Sequence, residues 1–444
     1  MLKNKLYKDK TNIAIIGAGI SGLTAAMLLS KRYNVCLYEA NNYLGGHALT
    51  LNKKISYKNR IKNINFDVGF LVYNNRNYPL FSNILSKLKV KTINSNMSFS
   101  VSNKMKNFEY GSTGILSSTN NLKNIFNINF WSMIKEIKRF FVVSNKIINS
   151  KKSYNNISVK QFIEINNFNN SFVFDHFLPM CGAIWSISNK KVMDMPIKTI
   201  LIFFHNHGLL SFFNKPIWKT IDGGSKNYVN AITKEIKGKV LLNEKVMKVR
   251  RNKENITLIF KNHKKTFDKV ILAIHSDEIL NILEKPTEIE NKIFSKCKYE
   301  ANKIYIHQDQ KLMPSSKSTW SSWNVIQSYT KNKAKNTLNN NICVTYWINK
   351  LQNIYTDIPL LVTLNAKNEN IPDKNKILKI IKFKHPIFNS ENLNISTDIS
   401  SIQSKNNTFY IGAWLGYGFH EDGVKSAVNL KNFFEVDYNL YEKI

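Results

Sequence analysis

The sequence predicts an α/β fold of two joined domains, one Rossmann-like and one of mixed sheet plus helices, from three observations. A short apolar run ends in the glycine loop Gly17-Ala18-Gly19-Ile20-Ser21-Gly22, a helix-forming stretch and a second apolar run follow it, and strand-like runs return after Lys239. Asn12-Ile13-Ala14-Ile15-Ile16 has the unbroken apolar character of a strand covered on both faces. Residues 20–32 carry Leu, Ala and Met and end in Lys31-Arg32, cations that suit the negative end of a helix dipole. Val35-Cys36-Leu37-Tyr38 supplies the next strand, with Glu39 at its C-terminal end.

The middle is less regular. Residues 121–150 alternate apolar and basic side chains around Phe130, Trp131, Ile134, Ile137, Phe140 and Phe141, which predicts an amphipathic helix packed on a core. A membrane-facing or lid helix is the second reading. Residues 197–213 are apolar but broken by His205, Asn206, His207 and Gly208, as in buried structure or a pocket wall. Strands are expected at 240–242, 246–249, 256–260, 270–273 and 410–414, with a helix from about His420. The Asn/Lys-rich stretches 331–341 and 367–377 read as surface loops.

The chain of 444 residues has 43% hydrophobic residues and no apolar run of membrane-spanning length, so a soluble protein in the cytoplasm is the default expectation. Its net charge of +34 invites a polyanion-binding reading. Only six of its 64 basic residues are Arg, and the Lys are spread along the chain with abundant Asn and Ile, as an AT-rich coding sequence would supply. No nucleic-acid partner is expected; peripheral contact with the inner face of a membrane stays open. Cys36, Cys181, Cys297 and Cys343 have neither CxxC nor metal-like spacing, which argues against a metal site and against dithiol exchange beside a flavin.

The glycine loop carries the first chemistry. Gly17 permits a tight turn, Gly19 removes a side chain that would block a dinucleotide pyrophosphate, and Gly22 lets helix and strand pack. Glu39 lies 22 residues after Gly17, where a carboxylate accepts ribose hydroxyls. NAD and FAD share this fingerprint. Gly45-Gly46-His47 would let the chain pass close to a pyrophosphate, Phe66-Asp67-Val68-Gly69-Phe70 suits a strand-to-loop step beside a flavin, and the segment 412–423 is a third such step; each alone is an ordinary turn, and together and in this order they are informative.

The order of those motifs, with Ile221-Asp222-Gly223-Gly224-Ser225, Val246 and Phe267-Asp268-Lys269-Val270-Ile271-Leu272-Ala273, resembles the flavin-containing amine oxidase superfamily over nearly the whole chain. The stretches 97–102, Ala183-Ile184-Trp185-Ser186, Asn206-His207-Gly208-Leu209-Leu210, Gly223-Gly224-Ser225, Ala273-Ile274-His275-Ser276-Asp277, 345–352 with Tyr346 and Trp347, and 416–423 with Tyr417 and His420 look closest to its bacterial amine oxidase-like NAD/FAD-binding proteins of fatty-acid modification.

The resemblance implies an amine oxidase-like architecture: a Rossmann-like FAD-binding domain from 1–80, 215–275 and 400–444, and a substrate domain from 81–214 and 276–399. It implies FAD held by Gly17, Gly19, Ser21 and Gly22 at the pyrophosphate, Glu39 at the ribose and Val246 at the adenine. Gly45, Gly46 and His47 would face the second phosphate, with Asp67, Gly69, Gly412, Asp422, Gly423 and Val424 completing the site. His47 departs from the Arg most amine oxidases carry there, and a neutral imidazole neutralises phosphate less well.

A helix starting near His420 would aim unpaired N–H groups at the flavin pyrimidine, where negative charge develops on reduction. Glu421 and Asp422 also suit plain stabilisation of a first helical turn. His420 is the first candidate catalytic group, and Tyr346, Trp347, Trp414 and Tyr417 are candidate walls of a substrate cavity. The expected activity is hydride removal from an apolar, fatty-acyl or lipid substrate. Oxidation of a small amine, and a non-catalytic flavin-bearing protein on a membrane surface, are the alternatives.

Overall fold

The computed structural model describes residues 11–112, 122–150, 157–185, 189–211, 215–332, 337–367, 370–387 and 395–435. A five-stranded parallel sheet runs in the order Lys239–Leu241, Asn34–Tyr38, Asn12–Ile16, Lys269–Leu272, Thr408–Tyr410. Its central strand is apolar on both faces for a visible reason. Ile13 and Ile15 join one core with the helices Ile20–Leu29, Pro79–Lys87, Lys226–Glu235 and His420–Val428, while Ala14 and Ile16 join another. That second core contains the three-stranded antiparallel sheet of Lys248–Arg251, Ile256–Ile259 and Lys264–Phe267. The helix Glu288–Phe294 also packs there, so the first layer extends past residue 275.

A mixed seven-stranded sheet forms the second layer, in the order Ile377–Pro386, Tyr299–His307, Leu361–Leu364, Thr337–Trp347, Trp323–Asn332, Phe99–Asn103, Phe108–Gly111. Only the pairing of Trp323–Asn332 with Phe99–Asn103 is parallel. Helices cover one face. The longest, Ile128–Asn149, buries Phe130, Met133, Ile137, Phe140 and Ser144 at three- and four-residue spacing, and Asn127 caps its first turn by accepting from the Asn129 and Phe130 N–H groups. Phe140 sits among Phe162, Phe168, Phe172, Phe177 and Phe204, which makes this core aromatic.

Several elements differ from expectation. The first helix stops at Leu29, with Ser30 as its cap, so Lys31 and Arg32 lie beyond it. The run at 246–249 forms a strand only from Lys248, and the run at 410–414 ends as a strand at Tyr410 because Ala413–Leu415 turns into a 3-10 helix. Residues 331–332 and 337–341 of the expected loop 331–341 pair in the strands Trp323–Asn332 and Thr337–Trp347, their backbone pairing outweighing their polar composition. Residues 121, 212, 213, 333–336 and 368–369 lie outside the described residues.

One buried ion pair ties the first layer together. Glu290 accepts from both Arg251 guanidinium nitrogens, at 2.6 and 2.8 Å, and from the Tyr410 hydroxyl at 2.5 Å. Burial alone pushes the Glu290 carboxyl up, but Arg251 and Tyr410 outweigh it and hold it below the usual range. Removing one partner of such a pair strands the other, so Arg251→Ala should destabilise the protein by about 3–5 kcal/mol in urea melts. Because the folded carboxyl is depressed, its stabilisation is present above the unfolded value of ~4.3 and disappears as pH falls through the folded value. Arg251→Ala should therefore flatten the acid limb of the stability profile.

A candidate dinucleotide site

The site is built at the C-terminal edge of the parallel sheet. Gly17 has φ +101°, and its N–H donates to the Tyr38 carbonyl at 2.8 Å, which turns the chain from the first strand into the helix Ile20–Leu29. A Cβ on Gly22 would lie 1.8 Å from the Gly17 oxygen, so only glycine lets helix and turn pack. A Cβ on Gly19 would meet nothing within 4 Å. Open space thus fronts a helix whose first N–H groups have no partner inside it. Gly45 donates to the Ala18 carbonyl at 2.9 Å, and a Cβ on Gly46 would stand 3.3 Å from the Gly19 Cα, so the glycine pair closes the side of that space. A cradle of bare backbone at a helix N-terminus fits a dinucleotide pyrophosphate.

Glu39 is buried, and its carboxylate is oriented by the Ala18 N–H at 2.9 Å and by the Asn41 backbone and side-chain N–H groups at 2.9 and 2.7 Å. The segment carrying Val246 runs beside it, since the Glu244 N–H donates to the Glu39 carbonyl at 2.9 Å and the Asn243 N–H to the Asn41 carbonyl at 3.0 Å. Val246, two residues after Glu244, is buried in the core beneath this turn.

The C-terminal helix packs directly on the glycine loop. A Cβ on Gly423 would sit 2.7 Å from the Ile20 side chain and 2.8 Å from the Ser21 hydroxyl, Val424 is fully buried behind it, and the Gly412 N–H donates to the Ser426 hydroxyl at 3.0 Å. The acidic pair caps helices. Asp422 accepts from the Tyr417 and Phe419 N–H groups at 2.9 and 3.0 Å, and Glu421 accepts from Leu80 and Phe81 at 2.9 and 3.0 Å, at the start of Pro79–Lys87. These two carboxylates are bonded to the protein, while the Asp422 backbone lies in the first turn of the helix that packs on the glycine loop.

Asp67 and His420 also have polar partners within the protein. Asp67 is buried and accepts from Thr50, from the Ser225 N–H and hydroxyl, and from Gln352, so it joins four segments instead of facing open space. His420 stacks on Phe70 at 3.6 Å and 15°, and burial pushes its pKa down to about 3. Burial also holds the Tyr228 phenol well above its ordinary value, and its hydroxyl shares a buried hydrogen bond with His420 Nε2 at 2.8 Å. The His420 imidazole is thus enclosed between the Phe70 ring and the Tyr228 hydroxyl.

His47 meets residues that the sequence did not single out for the site. Its Nε2 donates to the Lys384 carbonyl at 3.2 Å, and its ring lies 4.6 Å from Phe383, 5.3 Å from His385 and 5.6 Å from His275. Gly69 passes underneath, where a Cβ would be 2.1 Å from the His47 oxygen. His385 Nδ1 accepts from the Asn302 amide at 2.6 Å. Burial first, then mutual proximity, pushes His47 down to about 3 and His385 to about 4. His275, Asp277 and Glu278 are close enough together to hold a cation, but the Lys384 ammonium lies 3.3 Å from Asp277 and 3.6 Å from Glu278 and already supplies that charge. No motif marks His385. It arrives through the register of Ile377–Pro386 against Tyr299–His307.

The proposed cavity walls separate. Tyr346 and Trp347 are consecutive in one strand and face opposite sides of the sheet. Tyr346 packs edge-on to Trp323 in the helix-covered core, while Trp347 packs edge-on to Trp320 in a small cluster with Met313 and Leu361. Trp414 donates to the Ile274 carbonyl at 3.1 Å within the first layer, and Tyr417 is 39% exposed. The aromatic set that bridges the layers is instead Phe203, His207, Trp218 and Phe419. Phe203 stacks on His207 at 3.7 Å and on Phe419, the residue before the C-terminal helix, at 5.1 Å. Burial pushes His207 down to about 4.

The family model described as flavin containing amine oxidoreductase matches residues 20–367. None of the curated proteins matches the sequence. Among solved structures the fold is similar to a CLA-producing fatty acid isomerase from P. acnes, at 14% identity and TM-score 0.66, covering 97% of this chain and 100% of that one. It is also similar to putrescine oxidase bound to putrescine, at 14% identity and TM-score 0.64 over 95% and 98% of the two chains. A third is cyclohexylamine oxidase from Brevibacterium oxydans IH-35A, at 11% identity and TM-score 0.62 over 96% and 100%. At these identities the likeness is one of fold. The family match spans most of the chain, from the glycine-loop helix into the seven-stranded sheet, and the chain belongs to the flavin-containing amine oxidoreductases, a family of FAD-dependent enzymes.

Proposed function

We propose that this enzyme removes a hydride from an apolar, fatty-acyl or lipid substrate held against FAD. In this reading Gly17, Gly19, Ser21 and Gly22 hold the pyrophosphate, Glu39 the ribose, Val246 the adenine, and the backbone of Gly45, Gly46 and His47 the second phosphate. Bound FAD supplies two-electron chemistry, so the protein's work is to bind, orient and exclude water. Gly412, Gly423 and Val424 serve by packing the C-terminal helix onto the loop.

The observation that carries the substrate class is the character of the interior where the two layers meet. Phe203, Phe419, Trp185 and Leu210 contribute to it, and burial keeps His207 neutral there. An acyl chain gains from such a wall, whereas an ammonium group would need a carboxylate or a pair of facing aromatic rings. Trp323 and Tyr346 meet at 85° and Trp320 and Trp347 at 89°, and neither arrangement leaves two parallel faces for a nitrogen.

Two measurements test these assignments. Gly19→Ala should cost the apoprotein less than ~1 kcal/mol in thermal melts, yet weaken FAD binding at least tenfold, ~1.4 kcal/mol. Gly22→Ala should lower the melt itself, by about 1–3 kcal/mol, through its clash with Gly17. Equal FAD affinity in Gly19→Ala and wild type would remove the pyrophosphate from this loop. For the substrate, anaerobic mixing with long-chain fatty acids and phospholipid should bleach the flavin and leave acyl chains short of hydrogen by mass spectrometry. Bleaching by putrescine or cyclohexylamine, with acyl chains unchanged, would reverse the assignment.

A further inference from the structure

We infer that the outer face of the long helix Ile128–Asn149, with the turn before it, docks onto an anionic lipid bilayer. Ile125, Phe126, Ile128 and Trp131 form an apolar patch in which Phe126 is 86% and Ile128 84% exposed. Along the helix the exposed positions 128, 131, 135, 138, 142 and 146 recur at three- and four-residue spacing and so share one face. They are Ile128, Trp131, Lys135, Lys138, Val142 and Lys146, apolar side chains and cations without a carboxylate among them. Glu136, the helix's one acid, is held by Arg139 at 2.6 Å. The opposite face is locked into the aromatic core, so this face is fixed in its outward direction.

Charge selects the occupant. Aliphatic side chains and a Trp partition into the boundary between headgroups and acyl chains while flanking lysines reach lipid phosphates. A second copy of a chain of charge +34 would bring like charges face to face, and a nucleic acid would leave Phe126 and Ile128 against phosphates and water. A cavity of about 390 Å³ borders the patch, lined by Asn127, Asn129 and Met133 from the helix side, by Lys106 and Phe108 from the edge hairpin and by Asp175 from the helical segment Val173–Phe177. Its polar and apolar lining suits the headgroup-to-chain boundary of a lipid. Docking at this face is independent of what the flavin oxidises.

Co-sedimentation of the FAD-loaded full chain with vesicles of phosphatidylcholine, alone or mixed with phosphatidylglycerol, tests this. Binding is expected only with phosphatidylglycerol, weakening as salt screens the charges. The exposed-pair variant Phe126→Asp/Ile128→Asp should bind ~tenfold more weakly, and Lys135→Gln/Lys138→Gln should lose most of the phosphatidylglycerol dependence. Flavin content and melting temperature should stay at wild-type values in both, since all four side chains are exposed. Vesicle binding unchanged in both variants would overturn the proposal. So would a lipid-free dimer that Phe126→Asp/Ile128→Asp dissociates, or retention of single-stranded DNA in preference to the vesicles.

Discussion

The structure depends on a ten-residue helix with no exposed face. Every residue of Ile20–Leu29 is buried, so unlike an amphipathic helix it needs walls on all sides. The parallel sheet supplies one wall, and Lys226–Glu235 and His420–Val428 supply others. Close approach at its N-terminus is possible only because Gly22 faces Gly17 and Gly423 faces Ile20 and Ser21. Burial on this scale requires segments some 200 and 400 residues downstream to return to the loop. That requirement explains why the cofactor layer is discontinuous in sequence and why its C-terminal helix arrives as part of the site.

The same packing explains the acidic residues of the C-terminal segment. A helix end pressed into a protein must have its backbone groups satisfied. Glu421 supplies acceptors to the start of Pro79–Lys87, and Asp422 supplies them to the loop that precedes its own helix. Both carboxyls are pushed up by burial and pulled back by those N–H donors. They hold the end of the C-terminal helix still without occupying the space in front of it.

What was legible in the sequence was local. The strand, glycine turn, helix and second strand at the N-terminus are specified within about thirty residues, and the glycine geometry follows from steric rules that do not need the rest of the chain. What was not legible depends on distant partners. Asp67 lies beside a glycine like a cofactor contact, yet its ligands are Ser225 and Gln352, 158 and 285 residues away. His385 sits in a Lys-rich strand without a motif and reaches His47 only through sheet register. Tyr346 and Trp347 were separable in principle, because a strand alternates faces at every residue, but that rule applies only once the segment is known to be a strand.

Charge is divided sharply between surface and interior. The chain carries +34, yet the imidazoles of His47, His207, His385 and His420 are all pushed well below their ordinary range by burial. A neutral His47, with one nitrogen donating to the Lys384 carbonyl, fastens the edge strand of the second layer to the glycine pair of the first. An arginine there would bring a fixed charge toward the phosphates; this histidine brings a hinge of packing between layers instead. Positive charge left at the surface is then available for long-range attraction of anions, while these four buried imidazoles stay neutral. An apolar molecule drawn from an anionic surface into that interior would meet no ionised imidazole among these four.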